Sequence, residues 1–133
     1  MTTVLIVEDS STMRSFLATA LEAEAGVVVR EAASGFEALR LLPREKIDLI
    51  ATDINMPDIN GLELISYLRS TPRYAHIPLF IISTEGSEQD RERGLALGAD
   101  EYLVKPFAPE QFLKLVLAYT GRRQDGPDAA SHS

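Results

Sequence analysis

Apolar positions along the chain alternate between two periods. Val4 to Val7 form a continuous apolar run of strand length. Met13, Phe16, Leu17, Ala20 and Leu21 then recur at helical spacing and predict a helix with one apolar face. Ser10 or Ser11 can cap it, and Gly26 is the predicted stop. Val27, Val28 and Val29 open a second strand, favoured by their branched side chains. Ser34 caps a short helix carrying Phe36, Ala38, Leu39 and Leu42, which ends before Pro43. Ile47 to Thr52 predict a third strand, and Gly61 opens a third helix with Leu62, Leu64, Ile65 and Leu68. After Pro78 comes Leu79-Phe80-Ile81-Ile82, the most apolar strand candidate. Ser87 with Asp90 resembles a capping box for a helix that reaches Leu97 and stops at Gly98. Glu101 to Val104 predict a fifth strand. Pro109 suits a first helical position, and Phe112, Leu113, Val116 and Leu117 supply the last apolar face before Gly121.

Five strand–helix alternations imply an α/β domain in which helices cover both faces of a parallel sheet. Right-handed crossovers restrict the connections. The order chosen is 2-1-3-4-5, which places a site at the C-terminal strand edges near the switch between strands 1 and 3. Periodicity alone leaves that order open.

The chain has 133 residues, enough for one domain, with 45% apolar residues to fill a core. Residues 1–121 are read as that domain. Residues 122–133, polar and without periodicity, are read as a disordered tail. The net charge of −7 argues against non-specific nucleic-acid binding. The absence of cysteine removes disulfides, thiolate nucleophiles and zinc-finger frameworks. No apolar run approaches a membrane-spanning length, so the expectation is a soluble, cytoplasmic monomer with no membrane insertion.

The polar residues that follow the apolar runs add chemistry to this frame. Glu8 and Asp9 follow the first strand, Asp53 the third, Ser83 the fourth and Lys105 the fifth. Three carboxylates in one cleft repel each other unless a divalent cation offsets the charge. With only hard oxygen donors in the motif, magnesium or manganese suits it better than zinc. Asp53, fixed by its strand, is the better nucleophile, and the Asn55 backbone carbonyl can complete a metal shell. Lys105, held extended by Pro106 or aimed inward by a cis bond, can pair with Asp53 or with a phosphoryl oxygen. Each residue alone also has a plain reading. Isolated acids are commonly solvated or capping, most lysines are solvated, and a serine at a strand end commonly shapes a turn.

Together these residues resemble the response-regulator receiver domain, most closely its stand-alone chemotaxis type. The resemblance rests on Glu8-Asp9, Asp53, Asn55-Met56-Pro57 with Gly61, Ser83 and Lys105-Pro106-Phe107, and covers about residues 3 to 119. It implies a flavodoxin-like (βα)5 fold and a two-component role. A sensor histidine kinase or histidine phosphotransfer protein would donate a phosphoryl group to Asp53. The receiver would catalyse that Mg²⁺-dependent transfer and its own slow dephosphorylation without being a conventional enzyme. Asp9 and Asp53 would ligate Mg²⁺, with the Asn55 carbonyl, and Glu8 would act through water. Ser83 would move toward the phosphoryl group and Tyr102 would rotate inward, changing the partner-binding face of the fourth helix, fifth strand and fifth helix. Serine stands at 83 where many relatives have threonine, and Thr84 stands where many have alanine. The resemblance makes Thr84 and Glu85 tuning positions for hydrolysis or phosphatase contact.

The output is less constrained. The run Glu8-Asp9-Ser10-Ser11-Thr12-Met13-Arg14 looks like the chemotaxis group, so a flagellar motor switch protein is the first expected target. Alternatives are a phosphorelay shuttle or phosphate sink, a diffusible regulator of another enzyme, and a receiver fragment of a larger regulator. An ordinary aspartyl-phosphate phosphatase usually carries a second acid two residues after its nucleophile, where this chain has Asn55. Neither GxGxxG nor GxxxxGK[ST] occurs, against a nucleotide-binding domain. A pseudo-receiver would lack one of the acids, the acceptor or the lysine.

Overall fold

The computed structural model describes residues 1–84 and 88–121. In chain order the elements are β1 (Thr2–Val7), α1 (Ser11–Glu22), β2 (Val27–Ala32), α2 (Gly35–Leu41), β3 (Leu49–Asp53), α3 (Gly61–Ser70), β4 (Leu79–Ser83), α4 (Glu88–Leu97), β5 (Glu101–Val104) and α5 (Pro109–Tyr119). The strands form one sheet in the order β2-β1-β3-β4-β5, parallel throughout. This is the flavodoxin-like (βα)5 arrangement expected from the sequence. The order reverses direction between β1 and β3, which opens a crevice at the carboxyl ends of those strands.

The central strands β3 and β4 are buried along their whole length because both faces are covered, and alternate residues serve opposite layers. Leu5, Val7, Ile50, Ile81 and Tyr102 pack with Ala38 of α2 and Leu62, Leu64, Ile65 and Leu68 of α3. Val4, Ile6, Ala51, Phe80, Ile82 and Leu103 pack with Leu17 and Leu21 of α1 and Phe112, Val116 and Leu117 of α5. Each large side chain so buried contributes about 1.5–3 kcal/mol of transfer free energy. α4 differs, burying only Gly94. A Cβ at Gly94 would run into Ile81 Cδ1, so the glycine lets this polar helix lie against the sheet.

Several boundaries differ from the sequence reading. β3 begins at Leu49 and ends at Asp53, so the acid belongs to the strand and stands level with Ile82 of β4. Ile47 is buried although it precedes the strand. Apolar character reports burial, and a loop residue can satisfy it without ladder pairing. α1 stops at Glu22 with Ala23 as its cap, four residues before Gly26. Phe16, placed on the apolar face of the first helix, and Phe36, counted among the apolar residues of the second, are 38% and 57% exposed. Phe16 lies edge-on to Phe107, with centroids 6.3 Å apart. α3 carries a capping box from Asn60 and Glu63 that the sequence reading passed over. The Ser87 cap and the tail at 122–133 lie outside the described residues. Among the described residues, no helix is long and apolar enough to cross a membrane.

Candidate functional site

The site lies where β1, β3, β4 and β5 end. β1 hands the chain to Glu8, whose N–H donates to Ala32 O at 3.0 Å. The Glu8 side chain is 2% exposed. Its Oε2 accepts from Ser10 N at 3.1 Å, while Ser10 Oγ accepts from Met13 N at 3.2 Å and caps α1. Asp9 beside it is exposed. One residue of the acidic pair therefore turns inward and the other faces solvent.

Asp53 ends β3 inside the protein. Its Oδ1 accepts from Ile54 N at 2.7 Å. Gly61 N donates to Ile54 O at 2.8 Å, drawing the start of α3 against the same turn. A Cβ on Gly61 would collide with the Asp53 carbonyl, so only glycine permits that approach. This is the physical reason for a glycine eight residues beyond the acid.

Lys105 reaches across from the end of β5. Its peptide bond to Pro106 is cis. Its N–H donates to Ser83 O at 2.8 Å. The ammonium lies 2.8 Å from Glu8 Oε1 and 3.9 Å from Asp53 Oδ2. The lysine expected beside Asp53 thus makes its shorter contact with Glu8. Ser83 is buried and Thr84, the next residue, is exposed. Tyr102 is buried on β5 against Ile81 and Leu62. Asn55 is exposed, and Glu85 lies outside the described residues.

Glu8, Asp9 and Asp53 can each offer one carboxylate oxygen, all within 4.8 Å of one another. Burial pushes the Asp53 carboxyl up from 3.8 to about 6 and Glu8 adds repulsion, while Lys105 and the Ile54 and Asn55 N–H groups pull it down. A cluster of hard oxygens with one acid pushed toward neutrality suits a small divalent cation. The donor set therefore fits the metal class expected from the sequence.

Asp58 emerged only from the structure. Its carboxylate accepts from Phe36 N at 2.9 Å and Gly35 N at 3.1 Å, tying the loop after Asp53 to the start of α2. The Phe36 N–H leads the contacts, with those of Ile59 and Gly35, that hold the exposed carboxyl down at about 2. Nothing in the local sequence marks Asp58, because its partners lie 22 and 23 residues away.

The family model for the response regulator receiver domain matches residues 4–117. The chain is 39% identical over 108 residues to a chemotaxis protein CheY homolog of Campylobacter jejuni, covering 80% of this chain and 83% of that one. It is 37% identical over 122 residues to the phosphate regulon transcriptional regulatory protein PhoB of Pseudomonas aeruginosa, covering 90% of this chain and 53% of that longer protein. The structure of the chemotaxis response regulator CheY4 of Vibrio cholerae superposes with a TM-score of 0.81 at 37% identity, covering 90% of this chain and 98% of that one. With its fold and acidic cluster, the chain belongs to the response regulator receiver domain family, the phosphorylation-dependent regulators of two-component and chemotaxis signalling.

Proposed function

We propose that Asp53 accepts a phosphoryl group from a histidine kinase or histidine phosphotransfer protein and that Mg²⁺, or Mn²⁺, supports the transfer. The observation that carries this reading is the convergence of Glu8, Asp9, Asp53 and Lys105 at one edge of the sheet. Glu8, Asp9 and Asp53, with the Asn55 carbonyl, are the residues that would hold the ion. When bound, it supplies charge neutralisation for the acids and for the transferring phosphoryl oxygens.

Asp53 acts as nucleophile in its ionised form, which dominates at neutral pH for a carboxyl near 6. A carboxylate oxygen forms the new P–O bond as the donor's P–N bond breaks, and the electron pair stays on the imidazole nitrogen. Lys105 and the Ser83 hydroxyl then hydrogen-bond the new phosphoryl oxygens. Lys105 need move only from Glu8 toward Asp53, two partners already within its reach. The displacement of Ser83 and the repacking of Tyr102 change the surface of α4, β5 and α5. Water attack returns Asp53 to its free form, with Thr84 and Glu85 tuning the rate. The role is that of a switch in the cytoplasm, with a flagellar motor switch protein as its first target and a phosphatase as a further partner.

The likeness to chemotaxis proteins favours that output, and the likeness to PhoB keeps a receiver fragment as the second reading. Pull-down with and without beryllofluoride and Mg²⁺ tests the assignment. A motor-switch protein enriched only in the activated sample supports it. Binding confined to histidine phosphotransfer proteins makes the chain a phosphorelay shuttle instead. Failure of a purified kinase or of acetyl phosphate to label Asp53 overturns the phosphoacceptor reading itself.

A further inference from the structure

We infer that Arg14 is a positioning residue for the acidic pair, holding the Glu8-Asp9 backbone so that both carboxylates stay available to a cation. Arg14 lies in the first turns of α1, and its side chain is 21% exposed. Nη1 donates to Glu8 O at 2.9 Å and reaches Asp9 O at 3.5 Å. Nε lies 3.3 Å from Glu31 Oε1, near the end of β2. The guanidinium therefore spans two consecutive carbonyls of the acidic loop and is itself oriented from the neighbouring strand.

The choice of atoms matters. A guanidinium paired with the carboxylates would compete with a metal for the same oxygens. Binding the carbonyls fixes the loop and leaves the side-chain oxygens to converge with Asp53 within 4.8 Å. Arginine suits this task because its rigid fork of donors serves several acceptors at once, while a lysine ammonium supplies only a point charge.

Geometry and simple charge predict opposite signs, which makes the inference testable. A cation near an acidic site repels Mg²⁺, so on charge alone its removal strengthens metal binding. If Arg14 positions the acids, its removal weakens metal binding. Supporting residues of this kind typically change metal affinity by about 10-fold or more when removed. The inference rests on the proposed Mg²⁺ site, so the wild-type protein is measured first.

Isothermal titration calorimetry with MgCl2 on wild type, Arg14→Ala, Arg14→Lys and Glu31→Gln provides the test. Thermal melts and amide hydrogen exchange at residues 8–10 accompany it. The expected result is a Kd for Mg²⁺ about 10-fold weaker in R14A, partial recovery in R14K, a smaller loss in E31Q and faster exchange at residues 8–10. With acetyl phosphate as donor, the R14A defect shrinks as MgCl2 is raised, because the lesion lies in metal binding. An R14A protein that binds Mg²⁺ as tightly as wild type, or more tightly, overturns the inference. If R14A does not fold, R14K and E31Q decide the matter, and wild-type affinity in both overturns it. Wild-type protein that binds no Mg²⁺ instead overturns the metal-site reading, and this inference with it.

Discussion

The Lys105 ammonium makes a 2.8 Å ion pair with Glu8 and stands 3.9 Å from Asp53. Its nearer partner is thus Glu8 and not Asp53, the proposed phosphoacceptor. Both members of the close pair are at least nine-tenths buried. Replacing Lys105 with Met leaves the Glu8 carboxylate buried without its cation, which typically costs about 3–5 kcal/mol. Asp53 loses an attractive neighbour as well. Urea denaturation without Mg²⁺ should show this loss, and adding Glu8→Gln should recover much of it. A K105M protein as stable as wild type would show that the pair contributes nothing net.

The Asp53 carboxyl gives a pH dependence of definite sign. Its folded value, about 6, lies above its unfolded value of 3.8. The native state therefore binds this proton more tightly. The resulting stabilisation is full below about 3.8 and is lost as pH rises through about 6. Metal-free protein should gain stability from this group on mild acidification, and Asp53→Asn should be about 1–2 kcal/mol more stable than wild type at neutral pH. Saturating Mg²⁺ should erase that advantage, because only the wild type gains a carboxylate ligand. Metal affinity should fall as pH drops below about 6, where ion and proton compete. Chemical denaturation at two pH values, with and without Mg²⁺, provides the check.

Gly61 presents two opposing effects. Replacing glycine by alanine within a helix usually stabilises by about 1 kcal/mol. Here the added methyl meets the backbone of Asp53 and Ile54. Backbone cannot swing aside as a flexible side chain can, so the collision should win. Gly61→Ala should cost about 1–3 kcal/mol and slow labelling of Asp53 by acetyl phosphate. Unchanged stability and labelling would show that the turn moves freely.

Arg69, in the last turn of α3, links that helix to two other segments. It donates to Gly98 O at 2.9 Å, Ala75 O at 2.9 Å and Ile77 O at 2.6 Å, and pairs with Asp100 at 3.0 Å. The same Asp100 oxygen accepts from Leu79 N at 2.9 Å, at the start of β4. α4 has only Gly94 buried, and this clasp ties the residue just after its C-terminal end to α3. Arg69→Ala should cost about 2–4 kcal/mol through carbonyls left unsatisfied. Hydrogen exchange should quicken in α4 ahead of the central strands. Uniform exchange changes would argue against a local role.

Thr84 is exposed immediately after the buried Ser83. A threonine there presents a methyl and a hydroxyl that alanine lacks, and it can screen the acyl phosphate from water. Thr84→Ala should lose phosphate from Asp53 faster than wild type. A rate that stays the same or falls removes Thr84 from the account.

The fold was legible because the sheet is covered on both faces. Each strand carries a short apolar run and each packed helix one apolar stripe, so the alternation of periods spells out (βα)5. The helix that fitted least, α4, packs through a glycine and a distant arginine, neither of which leaves a periodic trace. Phe16 and Phe36 misled for a related reason. Hydrophobicity shows that a residue can be buried, but it does not supply the neighbour that buries it.

The site divides in the same way. Local sequence determined which polar residues stand at the strand ends, since an acid or lysine directly after an apolar run is delivered there whatever the rest of the chain does. Tertiary structure alone decided how those groups pair. Lys105 meets Glu8 across 97 residues, Asp58 holds α2 from 22 residues away, and Arg14 of α1 pairs with Glu31 of β2. Charge pairing depends on distances of a few ångströms between side chains far apart in the chain, and only the packed sheet sets those distances.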